Sequence, residues 1–482
     1  MPYGPRPPHT LVQRRPQRRG QEQRRDPSSA LDAALAAAAA VPAPPAASFA
    51  ELGVHPRLVT ALAARGIVEP FAIQSRAIPD AVTGRDILGR AQTGSGKTLA
   101  FGLSLLTRLA AITQPRQQQA PRALVLVPTR ELAQQVADVL TPLGQTVGVS
   151  IATVYGGVPI GRQIDQVRRA DVVVATPGRL TDLIERHACT LARTEITVLD
   201  EADHMADLGF LPAVTRLLDQ TPADGQRMFF SATLDRGVGQ LVTKYVTGPA
   251  LHAVPESAES TPAEHSILVL RAEDKVPVAA EIASRPGRTL FFVRTKHGAD
   301  RLAKQLSVAG TGAAAIHGNR SQSQRQRALD GFAAGYPRVL VATDVAARGI
   351  HVDDVDLVVQ FDPPEDHKDY LHRSGRTARA GASGQVVALA ERGQVRDLQR
   401  MHAAAGITAA RHDVAPGHQA VREFATSGTP IPPATGRTPR AATSQTSRRG
   451  ADTSRTSTTK GGAPTGRTPS PRRQPRRPVR YG

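Results

Sequence analysis

Short, mostly apolar runs recur through the middle of the chain without a regular alternation of apolar and polar residues. They occupy residues 124–127, 172–175, 196–199, 228–230, 289–293, 339–341 and 357–359. A strand that is covered by helices on both faces has this uniformly apolar pattern, as in a parallel sheet. Segments with helical spacing lie between the runs, for example residues 131–140 and 325–332. The alternation predicts an α/β fold with parallel sheets.

The two ends of the chain have a different composition from the body. Residues 1–48 are rich in Arg and Pro around an alanine run, and residues 414–482 are dominated by Ser, Thr, Pro, Gly and Arg. Such segments bury too little apolar surface to offset the entropy lost on ordering, so we predict that both ends are disordered arms.

The body itself is divided by a stretch that is rich in Pro and Ser and poor in apolar residues, between residues 249 and 264. We interpret this stretch as a linker between two α/β domains. The predicted domains are residues 49–253 and 266–413, joined by a linker at residues 254–265.

The positive charge of the chain is concentrated in the two arms. Net charge is +19, from 61 basic and 42 acidic residues. The first arm has seven Arg against three acidic residues, and the second has twelve Arg and one Lys against two. Basic arms on a nearly balanced body indicate a polyanionic partner such as nucleic acid, although they can also serve solubility alone.

The sequence shows no sign of a membrane or of an oxidising compartment. No apolar run approaches the ~18 residues of a membrane span. Residues 1–26 lack the apolar core of a secretory signal. The single cysteine, Cys189, excludes a disulfide within the chain. We therefore expect a cytoplasmic protein with no membrane partner.

The strongest chemical signal is the sequence Ala-Gln-Thr-Gly-Ser-Gly-Lys-Thr at residues 91–98. Its glycines let backbone N–H groups turn toward phosphate oxygens, and a following helix adds its positive end. Lys97 would contact the β- and γ-phosphates of a nucleotide, and the Thr98 hydroxyl would serve Mg²⁺. The strict pattern begins with Gly, where this chain has Ala91.

An acidic tetrad, residues 200–203, directly follows the predicted strand at 196–199. An acid at a strand end beside a phosphate loop can hold Mg²⁺, and a neighbouring Glu can orient or deprotonate the attacking water. Alone, such a tetrad is more often a solvated turn. Its combination with Lys97 and Thr98 favours a magnesium site.

A third group is the sequence His-Arg-Ser-Gly-Arg-Thr-Ala-Arg at residues 372–379. Arg376 and Arg379 are three residues apart and would share a face if the segment were helical. An arginine from a second domain can stabilise the charge on a transferred phosphoryl group. A salt-bridge row or a second RNA-contact patch remains an alternative.

In their order along the chain, these motifs and several others resemble those of DEAD-box RNA helicases, which have two tandem RecA-like domains. The similarity covers about residues 49–413. It implies that ATP is bound by Phe49, Gln74, Ala91, Gln92, Thr93, Gly94, Ser95, Gly96, Lys97 and Thr98. It implies RNA contacts at Pro128, Thr129, Arg130, Gly156, Gly157, Thr176, Pro177, Gly178, Arg179, Thr343, Arg348 and Gly349.

The resemblance also implies the chemical roles. Mg²⁺ would be held by Thr98, Asp200 and Glu201. Catalysis would involve Lys97, Asp200, Glu201, Arg376 and Arg379. Coupling of ATP to strand opening would involve Asp203, Ser231, Thr233 and His372.

The chain departs from the family pattern at a few positions. Phe71 stands where Thr is usual, His351 where Asp is usual, and Ser374 and Ala378 where Ile and Gly are usual. None of these positions handles a phosphate or Mg²⁺ in the family. We therefore expect altered nucleotide affinity, with activity retained.

The function implied is that of an ATP-dependent RNA helicase, which closes as a clamp on RNA, locally separates a short duplex and releases it on hydrolysis. With 4% aromatic residues and no Trp, a stacking platform for bases is not expected, so backbone contacts and little sequence preference are predicted. Two alternatives are a DNA-directed helicase of the same superfamily and a non-catalytic RNA-annealing or scaffold protein.

Overall fold

The computed structural model describes residues 27–41, 48–91, 94–234, 236–254, 263–347, 355–378 and 384–430. The first half forms a sheet of seven parallel strands in the order β3-β4-β2-β5-β6-β1-β7. Its strands are β1 (Ile87–Arg90), β2 (Ala123–Leu126), β3 (Ile151–Val154), β4 (Val172–Ala175), β5 (Ile196–Asp200), β6 (Gln226–Ser231) and β7 (Ala250–Ala253). Its helices are α1 (Pro27–Ala40), α2 (Pro56–Ala63), α3 (Ala72–Val82), α4 (Lys97–Ala110), α5 (Arg130–Thr146), α6 (Ile160–Val167), α7 (Pro177–Glu185), α8 (Ala202–Asp207), α9 (Leu211–Leu218) and α10 (Arg236–Tyr245).

The second half repeats this architecture. Its seven parallel strands follow the order β10-β11-β9-β12-β13-β8-β14, which is the first order with each strand number raised by seven. The strands are β8 (Glu264–Leu270), β9 (Thr289–Phe292), β10 (Ala313–Ile316), β11 (Val339–Ala342), β12 (Leu357–Gln360), β13 (Gln385–Glu391) and β14 (Ala409–Asp413). The helices are α11 (Lys275–Ala283), α12 (Lys296–Val308), α13 (Gln322–Ala333), α14 (Asp344–Ala347), α15 (His367–Ser374), α16 (Val395–Ala404) and α17 (Gln419–Thr426), with short 3₁₀ turns at Ala272–Asp274 and Arg392–Gln394.

The predicted α/β fold with two parallel sheets is confirmed. The central strands β2, β4, β9, β11 and β12 are buried along their whole length, because helices cover both faces of each sheet and form a separate apolar core on each side. No helix among the described residues is both long and apolar enough to cross a membrane.

The prediction that residues 1–48 form a disordered arm was wrong for helix α1. Leu35 is fully buried, and Leu31 and Ala39, one helical turn to either side, pack against the same core. Arg76 donates hydrogen bonds to the carbonyl oxygens of Ala38 (3.0 Å) and Val41 at the end of the helix. An alanine helix of this length is marginal alone, so docking of one apolar stripe and capping by Arg76 stabilise it. Residues 1–26 and 42–47 lie outside the described residues.

The predicted start of the second arm at residue 414 was also wrong. Helix α17 packs on α11 and buries Ala420 and Val421. Beyond it, Ser427 accepts a hydrogen bond from the buried Arg285 (3.1 Å), and the N–H of Thr429 bonds to Asp356 (3.2 Å). The two buried apolar residues of α17 are too few to produce a recognisable helical period in the sequence. Residues 431–482 lie outside the described residues.

The remaining domain bounds stay predictions. Strand β8 begins at Glu264, inside the predicted linker of 254–265, and residues 255–262 of that linker are outside the described part of the chain.

We predict that Leu35→Ala lowers the free energy of unfolding by about 2 kcal/mol, because a buried leucine is removed from the seam between α1 and the sheet. Denaturant unfolding of the full chain measures this change. The control is Ala37→Gln, an exposed position on the same helix. An unchanged midpoint for Leu35→Ala would show that α1 does not contribute to the stability of the first half.

Candidate functional site

The loop between β1 and α4 forms a pocket at the carboxyl end of the first sheet. Gly94 and Gly96 both have φ of +88°, a left-handed conformation that glycine adopts without steric cost. Helix α4 begins immediately afterwards, at Lys97, so its first N–H groups face the pocket. A cavity of about 140 Å³ is lined by Gly94, Gly96, Lys97, Thr98, Leu132, Asp200 and Glu201. Of the predicted nucleotide contacts, Gln92 and Thr93 lie outside the described residues.

Two opposite charges are buried in this pocket. The ammonium group of Lys97 donates a hydrogen bond to the carbonyl oxygen of Ala91 (2.7 Å), and Asp200 is 2% exposed. Burial raises the pKa of Asp200 to about 7 against the opposing effect of the Lys97 charge, and the charges of Glu201 and Asp203 add to the rise. A buried carboxylate of this kind is stabilised by a bound cation.

These residues fit a Mg²⁺ ion. Mg²⁺ is typically held by one or two carboxylates together with substrate phosphates and water. Asp200 supplies a carboxylate, the neighbouring Glu201 a second, and the Thr98 hydroxyl lines the same cavity. No cluster of three or more His, Cys, Asp or Glu in the described part of the chain forms a cage made of protein groups alone.

Glu201 is held in an unusual conformation beside the cavity. Its φ of +53° is left-handed, which is costly for a residue with a side chain. One carboxylate oxygen, Oε2, is 3.0 Å from Nδ1 of His204. Burial alone would raise the pKa of Glu201, but the hydrogen bond and charge of His204 and the charges of Lys97 and Arg376 lower it to about 2. The carboxylate is therefore ionised at neutral pH, and the positive charge of Arg376, on the second half, stabilises this ionised form.

The three predicted coupling residues of the first half form one hydrogen-bond network. Oδ2 of Asp203 accepts hydrogen bonds from the N–H (3.0 Å) and the hydroxyl (3.1 Å) of Thr233. The Ser231 hydroxyl accepts from the N–H of Asp203 (3.1 Å) and donates to the carbonyl of Thr233 (2.7 Å). The end of β5 is thus tied to the end of β6.

The two predicted ATP contacts outside the phosphate loop, Gln74 and Phe49, lie in different surroundings. The Gln74 side chain accepts from the N–H of Phe71 (2.9 Å) and donates to the carbonyl of Gly96 (3.0 Å), which ties α3 to the phosphate loop. Phe49, which the resemblance predicts to contact ATP, is 2% exposed and packs in the core of the first half. Phe71, the departure from the family pattern, is 59% exposed, and a Cβ atom at Gly96 would lie 2.8 Å from its ring.

The predicted RNA contacts of the first half lie where helices start at the carboxyl ends of strands. Thr129 caps α5 by accepting a hydrogen bond from the N–H of Leu132 (3.2 Å), and Thr176 precedes α7. Pro128, Thr129, Thr176 and Pro177 are buried, so they position the helix starts. Arg130, Gly156, Gly157, Gly178 and Arg179 are at least partly exposed.

Two arginines shape this surface. Arg130 lies so close to Gly156 and Gly157 that a side chain at Gly157 would collide with its guanidinium group. Arg179 donates to the carbonyl of Val158 and to Gln163, both at 3.1 Å, and so anchors the loop that follows the glycine pair. Of the second-half RNA residues, Thr343 is buried, and Arg348 and Gly349 lie outside the described residues, as does His351.

The predicted arginine row has divided roles. Helix α15 ends at Ser374, so Arg376 lies in a turn beyond it, and the expected helical face shared with Arg379 does not form at Arg376. Arg379 itself is outside the described residues. Arg373 is buried and makes a two-point contact with Asp344 (2.5 and 2.8 Å), so it fixes α15 to α14.

Sequence reasoning missed the contacts that join the two halves. Glu131 is buried at the start of α5; its carboxylate accepts from Gln322 (2.8 Å) and pairs with Arg325 (2.9 Å), both on α13. A second contact brings His372 to 3.8 Å from Asp207, with its ring centroid 6.4 Å from that of His204. The i, i+3 spacing of Gln322 and Arg325 indicates that both lie on one face of a helix. The spacing does not show which residue of the other domain that face contacts.

Comparisons with known proteins agree with this geometry. Residues 71–241 match the DEAD/DEAH box helicase family, and residues 274–381 match the helicase conserved C-terminal domain. The chain is 38% identical to the ATP-dependent rRNA helicase RRP3 of Eremothecium gossypii over 74% of each chain. It is 39% identical to the ATP-dependent RNA helicase RhlB of Xanthomonas axonopodis pv. citri over 71% of this chain and 62% of that one.

A solved structure shows the same architecture. S. cerevisiae Dbp5 bound to RNA and ADP BeF3 superposes with a TM-score of 0.66 at 30% identity, over 76% of this chain and 95% of that one. The match to DEAD-box ATP-dependent RNA helicase 9 of rice, at 39% identity, covers 70% of this chain and 55% of the rice protein, so this chain spans little more than half of that relative. From these matches and the tandem RecA-like fold, we conclude that the chain belongs to the DEAD/DEAH box helicase family.

Proposed function

We propose that this protein is an ATP-dependent RNA helicase that binds the RNA backbone, separates short duplexes locally and hydrolyses ATP to release the RNA. The main support for the proposal is the cavity at the phosphate loop, which is lined by Lys97, Asp200 and Glu201. The positive charge of Arg376, on the other half, lowers the pKa of the Glu201 carboxyl group. A site completed by both halves can link nucleotide binding to closure.

The nucleotide is held mainly by the first half. The N–H groups at the start of α4 and the ammonium of Lys97 bind the phosphates. Asp200, Thr98 and Glu201 would hold a Mg²⁺ ion, which would neutralise charge on the phosphates. Glu201 orients a water molecule and accepts its proton as the γ-phosphate is transferred. Arg376, with Arg379 as a second candidate, stabilises the charge that develops on the phosphoryl group.

RNA lies across the helix starts of both halves. N–H groups at helix N-termini and the Arg130–Gly157 surface contact phosphates, which carry no base identity, so little sequence preference is expected. The Asp203–Ser231–Thr233 network and His372 link the nucleotide cavity to this surface. The Asp207–His372 and Glu131–Arg325 contacts hold the two halves together when RNA is bound. We place the protein in the cytoplasm.

We predict that Glu201→Gln lowers the RNA-stimulated ATPase rate by about 10²–10⁴-fold while ATP and RNA still bind, because the positioned base is lost and the shape is kept. Phosphate release and nucleotide binding measure the two effects. The control is Glu195→Gln, at an exposed site just before β5. Near-normal turnover in Glu201→Gln would contradict the base assignment.

The same assay on matched RNA and DNA duplexes separates the proposal from its alternatives. Strand separation of RNA with ATP, and little separation of DNA, is expected. Separation of DNA duplexes would identify a DNA-directed helicase. RNA binding without any ATPase activity would identify a scaffold or annealing protein.

We predict that the Glu131–Arg325 contact stabilises the closed state. Glu131→Gln and Arg325→Met should each raise the RNA concentration for half-maximal ATPase, because each leaves a buried polar group without its partner. In the double variant, the loss of binding free energy should differ from the sum of the two single losses by about 0.5–3 kcal/mol. Arg186→Ala, which breaks an exposed pair with Asp182, is the control. Additive losses would show that the pair does not act as a unit.

We predict that residues 431–482 raise RNA affinity without selecting sequence. This segment has eleven Arg and one Lys against one Asp. If half of these cations contact phosphates, deleting 431–482 should make the slope of log affinity against log salt shallower by about four units. Cutting at 431 preserves α17. A tail of equal length with each Arg changed to Gln is the matched control, and an unchanged slope in either variant would show that the tail does not contact RNA.

A further inference from the structure

The residue that follows the acidic tetrad has no role in the mechanism above. His204 lies in the first turn of α8 and is 7% exposed. Its Nδ1 is 3.0 Å from Oε2 of Glu201. An ionised carboxylate only accepts hydrogen bonds, so Nδ1 carries the proton and donates it. The other oxygen of the same carboxylate, Oε1, would then face the attacking water molecule.

The backbone conformation of Glu201 explains why its side chain needs a fixed hydrogen-bond donor. Glu201 has φ of +53° and ψ of +53°, so it turns the chain sharply between β5 and α8. This left-handed conformation is costly for a residue other than glycine. The turn aims the side chain into the cavity, but the Glu side chain has further rotatable bonds. A donor fixed on the following helix removes that remaining freedom.

The other edge of the His204 ring faces the second half of the molecule. Nε2 is buried and has no hydrogen-bond partner among the described residues. The His372 ring lies 6.4 Å away, centroid to centroid, and Nδ1 of His372 is 3.8 Å from Asp207 on the same helix as His204. His204 therefore lies between the Glu201 carboxylate and the contact with the second half.

We infer that His204 is a positioning residue: its Nδ1–H holds one oxygen of Glu201 so that the other is aimed at the attacking water, and its ring contact with His372 makes that orientation depend on closure. This inference rests on the proposed ATPase function. It assigns to His204 no contact with ATP, so its loss should alter turnover and leave nucleotide binding unchanged.

The test compares two substitutions of His204 in the full chain. The amide nitrogen of Asn lies close to where Nδ1 of His lies, whereas Leu has similar bulk and no donor. His204→Leu should lower kcat of the RNA-stimulated ATPase by about 100-fold, because a misdirected base loses near-attack geometry. KM for ATP should change by less than about twofold, because ground-state binding is untouched. His204→Asn restores the donor without the ring and should therefore recover part of kcat.

Controls separate positioning from packing. Met205→Leu, at a fully buried neighbour on the same helix, should leave kcat near that of the unaltered protein, and thermal unfolding of every variant reports on stability. Equal loss of kcat in the Asn and Leu variants would overturn the inference, as would a Leu variant with normal kcat or one whose whole defect is in KM. Absence of ATPase activity in the unaltered protein would instead overturn the proposed function.

The dependence on closure has its own measurement. If His204 acts through His372, the double variant His204→Leu with His372→Leu should be little slower than the worse single variant. Fully multiplicative losses in kcat would show that the two rings act independently and would overturn this part of the inference.

Discussion

All strands in each sheet run in the same direction, and the arrangement of the chemistry follows from this constraint. In a parallel sheet the carboxyl ends of the strands meet at one edge, and the helix that follows each strand starts there. Lys97 follows β1, Thr129 follows β2, Thr176 follows β4, and Asp200 and Ser231 end β5 and β6. Residues that are more than a hundred positions apart therefore share one surface, with helix N-termini that suit phosphate groups.

Buried charge is the second constraint, and it makes the halves depend on each other. A charge that is taken out of water costs several kcal/mol unless it is paired. Within the first half, the positive charge of Lys97 favours the ionised form of Asp200. Within the second half, Arg373 forms an ion pair with Asp344. The buried Glu131 carboxylate finds its partner, Arg325, only on the other half. Glu131 therefore has this partner only when the two halves are in contact.

The departures from the family pattern have local physical consequences. Ala378 has φ of +55°, a conformation that the usual glycine would adopt at no cost. This strain lies in the turn that carries Arg376. Phe71 replaces a small hydroxyl residue with an exposed ring against Gly96, at the mouth of the cavity. Neither Phe71 nor Ala378 is among the residues that line the cavity with Lys97 and Asp200.

Much of this protein could be predicted from sequence because the informative patterns are local. Uniformly apolar runs identify strands that are buried on both faces, and Gly-Ser-Gly-Lys-Thr after such a run needs only its neighbours to form a phosphate loop. The burial of Phe49 and the packing of residues 27–40 were not predicted, because burial depends on what packs from elsewhere: Phe49 lies in the core, and α1 packs against the first half. The pairing of Glu131 with Arg325 and of Glu201 with His204 was likewise decided by tertiary structure. Local spacing shows which residues share a helix face, but the partner that this face meets is set by how the domains pack.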